Sequence, residues 1–92
     1  MIVLPYSLET KKSVDKIFEK IAKRDPAQEK SVKAKILQIL EDPYRFKPLR
    51  YPMQGKRRVH AFGPFVLVYS INEKEKTVVI ENYEHHDGIY KR

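Results

Sequence analysis

Five consecutive apolar residues, Phe65-Val66-Leu67-Val68-Tyr69, lie between Gly63-Pro64 and the polar run Asn72 to Lys76. A run this short cannot cross a bilayer, and its nearly unbroken apolarity marks an interior strand of a sheet. It reads as a strand, Phe65 to Ile71, central in its sheet with a neighbouring strand on either side. Central strands need neighbours. Lys56 to Phe62 and Thr77 to Tyr83 supply them, joined to the central run by connections of hairpin length.

The first half of the chain has a different period. Ile2 to Tyr6 reads as a short strand that Pro5 confines to an edge or a strand end, with Ser7 placed to cap the helix that follows. In that helix Val14, Ile17, Phe18 and Ile21 recur at the spacing of one apolar stripe. Asp25-Pro26 then reads as an N-cap followed by proline at the first helical position, and Gln28 stands where a capping box places Glu or Gln. Val32, Ile36, Ile39 and Leu40 line one face of this second helix, which Asp42-Pro43 ends. Pro43, Pro48 and Pro52 predict an irregular, fairly stiff surface loop as far as Gly55. The expected architecture is α+β and two-layered: β-α-α-β-β-β with an antiparallel sheet and a helical hairpin on one face. The 92 residues are read as a single domain, 1–92, too small for a large enclosed pocket. The sheet position of the first strand does not follow from periodicity.

Charge is distributed unevenly. Residues 7–42 carry nine basic and seven acidic side chains, and residues 65–92 carry four and five. Between them, residues 43–64 hold Arg45, Lys47, Arg50, Lys56, Arg57 and Arg58 with no acid, so six of the net +7 charges lie in this one segment. Tyr44, Phe46, Tyr51 and Phe62 are interleaved with them. Clustered cations with aromatics suit a phosphate backbone and unstacked bases. A solvated basic surface, or a patch for an acidic protein partner, carries the same signature. With no cysteine, thiolate chemistry and disulfides are excluded, and the chain gives no sign of an oxidising compartment. Neither a membrane span nor a secretory signal is visible, so a cytoplasmic protein is expected.

Lys56, Arg58 and His60 occupy alternate positions of one strand, so all three face one way while Val59 and Ala61 face the helices. Two cations and an imidazole in a row can cradle a phosphodiester and stabilise the charge that grows during attack at phosphorus; the same row also fits an ordinary solvated sheet face. Near the end of the chain, His85-His86-Asp87 suggests metal, but adjacent residues of an extended chain point to opposite faces and no second cluster completes a ligand set. No metal and no cofactor are expected. Either histidine can serve as a general acid or base, since imidazole titrates near neutrality, and Tyr90 can stack on a base or simply pack the tail. Only Gly55, Gly63 and Gly88 are present, so no phosphate-binding glycine loop is formed.

The element order, the run Lys56 to Tyr69 and the closing His85-His86-Asp87-Gly88-Ile89-Tyr90 together resemble the RelE/ParE toxin superfamily over nearly the whole chain, most closely its archaeal RelE-like members. The resemblance implies the toxin of a type II toxin–antitoxin pair that cleaves messenger RNA on the ribosome without a metal, the ribose 2′-hydroxyl attacking the adjacent phosphate. On that basis Lys56 and Arg58 match the paired basic residues, and His60 stands where another basic residue is common. His86, four before the terminal Tyr90, stands where many relatives carry a basic residue, and Tyr90 orients the substrate. His85 matches a His common beside the His86 position, and Arg45, Lys47, Arg50 and Arg57 of the basic segment are, with His85, the expected RNA contacts. The implied partners are an acidic cognate antitoxin covering residues 43–64 and mRNA on the ribosome, with no membrane and no small-molecule cofactor. One departure is plain. Val66 follows Phe65 where many ribonuclease members have Arg. ParE-type relatives share the fold and inhibit DNA gyrase without ribonuclease residues, so a non-catalytic gyrase inhibitor or a weakened RNA-binding homologue is also compatible.

Overall fold

The computed structural model describes residues 3–49 and 55–86. Its elements are β1 (Ser7–Thr10), α1 (Lys12–Arg24), α2 (Pro26–Glu41), a 3₁₀ turn (Pro43–Arg45), β2 (Lys47–Pro48), β3 (Lys56–Phe62), β4 (Phe65–Asn72) and β5 (Thr77–His85). The strands form one sheet in the order β1-β5-β4-β3-β2, so the apolar run is the central strand, as its composition demands. β2, β3, β4 and β5 pair antiparallel in succession, whereas β1 joins β5 in parallel and makes the sheet mixed.

The first strand lies later than its sequence suggests. Of the predicted Ile2 to Tyr6, Ile2 falls outside the described residues and the rest precedes the ladder. Proline has no N–H to donate, so pairing begins beyond Pro5. Ser7 N–H donates to Lys76 O at 2.8 Å, and Lys11 N–H donates to Ile80 O at 3.2 Å. Ser7 is therefore a strand residue and not a helix cap; α1 starts after Lys11, with no side-chain cap. The second helix follows its sequence signals closely. Asp25 accepts from the Gln28 backbone N–H and from Gln28 Nε2, both at 3.1 Å.

The proline segment also holds more order than expected. Asp42 accepts from Tyr44 N–H and opens the 3₁₀ turn with Pro43 at its first position. Pro48 sits in β2 at the sheet edge, where its missing N–H costs no ladder bond. Both prolines occupy the few regular positions that tolerate them.

On the helix side, Val14, Val32, Ile36, Ile39 and Leu40 pack against Val59, Ala61, Leu67, Tyr69, Val78, Ile80 and Tyr83. Tyr69 is fully buried in this core and its hydroxyl donates to Pro43 O at 2.6 Å, tying the 3₁₀ turn to the central strand. The opposite side is not bare. Val66 and Val68 are 0% and 1% exposed there, with Leu49 packed against them.

Candidate functional site

Two irregularities in pairing decide which side chains meet on the face away from the helices. Between β3 and β4 the register steps from His60↔Val66 to Phe62↔Phe65. Between β4 and β5 it steps from Val68↔Asn82 to Tyr69↔Ile80, leaving Glu81 as an extra residue. Such a bulge puts two consecutive side chains on one side and reverses the alternation beyond it. Glu81, Asn82, Glu84 and His86 consequently share the face of Val66 and Val68, while Tyr83 and His85 face the helices.

Lys56, Arg58 and His60 lie on the same face from β3, opposite Ser70, Val68 and Val66. Lys47 pairs with Arg58 and joins them. His86 N–H donates to Pro64 O at 2.7 Å, which carries the ladder one step past β5. Its ring stacks on His60, with centroids 5.6 Å apart and planes inclined by 16°. Four of the five predicted catalytic residues, Lys56, Arg58, His60 and His86, thus occupy one face; Tyr90 lies outside the described residues.

The predicted RNA contacts are dispersed. Lys47 is on the face and exposed, Arg45 is exposed on the 3₁₀ turn, and Arg50 lies outside the described residues. Arg57 points to the helix side, donating to Phe46 O at 2.7 Å with its guanidinium 5.1 Å from the Tyr44 ring centroid. Its charge anchors the segment between α2 and β2. His85 is edge-on to Phe65 on the helix side, 5.8 Å between centroids, and so is separated from His86 by the sheet.

Two carboxylates on the face were not foreseen. Glu81 accepts from Lys11 Nζ at 2.5 Å and from Ser70 Oγ at 2.6 Å. Burial works against the Glu81 charge, but those two hydrogen bonds and the nearby Lys11 and Lys56 charges outweigh it and hold its pKa below the ordinary value. Glu84 Oε1 accepts from Asn82 Nδ2 at 3.2 Å. The face therefore carries both signs of charge, where the composition of residues 43–64 alone suggests a purely positive hollow. The buried positions Val78, Ile80 and Tyr83 are spaced two and then three apart, which strict alternation does not allow, and the continuous apolar run Val78-Val79-Ile80 conceals the break in the sequence.

A second polar cluster lies apart from this face. Glu73, in the β4–β5 turn, accepts from Tyr44 OH at 2.6 Å and Tyr6 OH at 2.9 Å and pairs with Lys76. Lys76 first, then Tyr44 and Tyr6, pull the Glu73 carboxyl down to about 2. Among the described residues no group of three or more His, Cys, Asp or Glu is placed to hold a metal ion. No helix there is long and apolar enough to cross a membrane.

Residues 4–90 match the family described as the ParE toxin of type II toxin-antitoxin system, parDE. A candidate RelE4 toxin of Methanocaldococcus jannaschii is 40% identical over 87 residues, covering 95% of this chain and 93% of its own. The fold is similar to that of the YoeB/ParE toxin from Agrobacterium tumefaciens, at 15% identity and a TM-score of 0.79 over 87% of this chain and 98% of that one. It is also similar to a chain of the archaeal RelE-RelB complex from Pyrococcus horikoshii, at 17% identity and a TM-score of 0.69 over 90% and 97% of the two chains.

Proposed function

This chain belongs to the ParE toxin family of type II toxin–antitoxin systems, within the RelE/ParE superfamily, and we propose that it acts as a ribosome-dependent, metal-independent mRNA endoribonuclease. The observation that carries this reading is the His60–His86 stack on the same face as Arg58 and Lys56. Such a face can hold a phosphodiester by its cations and offer imidazole for proton transfer while the 2′-hydroxyl attacks the neighbouring phosphorus. Ribosome-bound message would supply the alignment that makes the hydroxyl an intramolecular nucleophile. Tyr90 orients the substrate in this reading, and the cytoplasm is where the reaction takes place.

The test is purified protein in a translation extract. Cuts within the codons of translated messages are expected, and Arg58→Ala and His86→Ala should each lower the rate ~10²-fold or more. Intact messages on translating ribosomes would reject the reading. A second reading, a non-catalytic inhibitor of DNA gyrase, draws on the apolar, buried Val66 and Val68 at the centre of the face and on the carboxylates beside them. Inhibition of supercoiling with messages left whole would select it.

In both readings the partner is an acidic antitoxin segment that folds over residues 43–64, where Arg45 and Lys47 are exposed. Its binding should weaken steeply with salt. Binding that ignores salt, or a co-encoded protein that leaves this segment open to protease, would remove the proposal.

A further inference from the structure

The floor between the histidines and Glu84 is apolar. Pairing sets His60 beside Val66 and Val66 beside Glu84, so one row across three strands reads imidazole, buried valine, carboxylate. Two strand spacings put the outer backbones roughly 10 Å apart. His86 follows Glu84 by two residues on the same face, and its ring leans over to stack on His60. The stacked rings and the carboxylate therefore flank the floor that Val66 forms. Asn82 Nδ2 orients the carboxylate through Oε1. The charged and titratable groups sharing its face among the described residues are Glu81 on β5, His86 just past it, Lys56, Arg58 and His60 on β3 and Lys47 on β2, while β4 contributes Ser70 and the apolar Val66 and Val68.

An ionised carboxylate only accepts hydrogen bonds, so it cannot stabilise the negative charge that grows on a phosphorane, and it repels the phosphate itself. What it can do beside a ribose is take a proton. Resting on the ribonuclease reading, we propose that Glu84 is a further catalytic residue, the base for the attacking 2′-hydroxyl. In the step, the 2′-O–H bond breaks and its proton passes to Glu84 as the 2′-oxygen bonds to phosphorus. The bond from phosphorus to the 5′-oxygen breaks, and the leaving oxygen takes a proton from the imidazolium of His86. One proton is accepted and one donated, leaving a 2′,3′-cyclic phosphate and a 5′-hydroxyl. Lys56 and Arg58 hold the non-bridging oxygens.

Glu84→Gln keeps the size of the side chain and its ability to accept from Asn82. Assayed in single turnover on translating ribosomes, it should cut ~10²-fold or more slowly than wild type, with the concentration for half-maximal rate changed by less than about threefold. Glu84→Asp should recover part of the rate. A message carrying sulfur in place of the scissile 5′-oxygen, a leaving group that needs no proton, should rescue His86→Ala and leave Glu84→Gln slow. The assignment is overturned if Glu84→Gln cuts at the wild-type rate, if the sulfur substrate rescues it, or if its loss is one of ribosome affinity. Wild-type protein that leaves every message whole removes the ribonuclease reading as well; wild-type cutting matched by Glu84→Gln removes only the role of Glu84.

Discussion

Leu67 and Val66 are neighbours on β4 and neither has exposed surface, yet their burial differs in kind. Leu67 and Tyr69 enter a continuous core built from both helices and three strands, in which apolar contacts reinforce one another. Val66 and Val68 lie on the other face with Leu49, which comes from the segment following β2. The helix side fixes the fold. On the opposite side Leu49 packs against the two valines, which are bordered by cations, imidazoles and carboxylates. Catalytic and binding groups belong on such a face, because changing them leaves the principal core intact.

Truncation on the two sides should separate them most strongly. Leu67→Ala is expected to cost about 3–5 kcal/mol, since a cavity walled by helices and strands relaxes little. Val68→Ala should cost only about 1–2 kcal/mol, because fewer methyl groups are lost and fewer apolar side chains surround them. Equal losses in urea denaturation would break the distinction between the two kinds of burial.

Smaller effects come from pH. Burial, the leading cause, raises Tyr69 and Tyr83 from 10.0 to about 12. Their folded pKa lies above the unfolded value, so the stability linked to their neutral form is complete below pH 10 and lost as pH rises toward 12. Tyr69→Phe should flatten part of that alkaline decline in chemical denaturation. The acid side has the opposite sign. Glu73 falls from 4.5 to about 2, so its contribution is present above pH 4.5 and lost as pH drops toward 2. Because the group is exposed, this acid change should be the smallest of the set, and Glu73→Gln should abolish it. An acid loss removed by Glu73→Gln that exceeds the alkaline loss removed by Tyr69→Phe would reverse this order.

What could be read from the sequence follows the same division. The stripes Val14–Ile21 and Val32–Leu40, the Asp25 cap and the central apolar strand are local patterns, and the structure repeats them. The alternation Lys56, Arg58, His60 was equally legible, because no irregularity interrupts β3 before His60. Counting by twos fails at Glu81, where an unpaired residue shifts the phase, so Glu84 and its place beside His86 stayed hidden. Pairing of β1 with β5 and the hydrogen bonds of Tyr6 and Tyr44 to Glu73 join residues far apart along the chain, and no local pattern encodes them. The ordered turn at Pro43 and the strand at Pro48 were obscured because proline is read as a breaker, although the first helical position and a sheet edge both accommodate it.

The surplus residue at Glu81 works as a phase shifter for the rest of β5. Removing it would send Glu84 and His86 toward the helices and bring Tyr83 and His85 out in their stead, while the paired stretch Thr77–Ile80 stayed where it is. Gaining or losing a single residue there would exchange which of the two adjacent imidazoles lies on the face of Val66 and Val68.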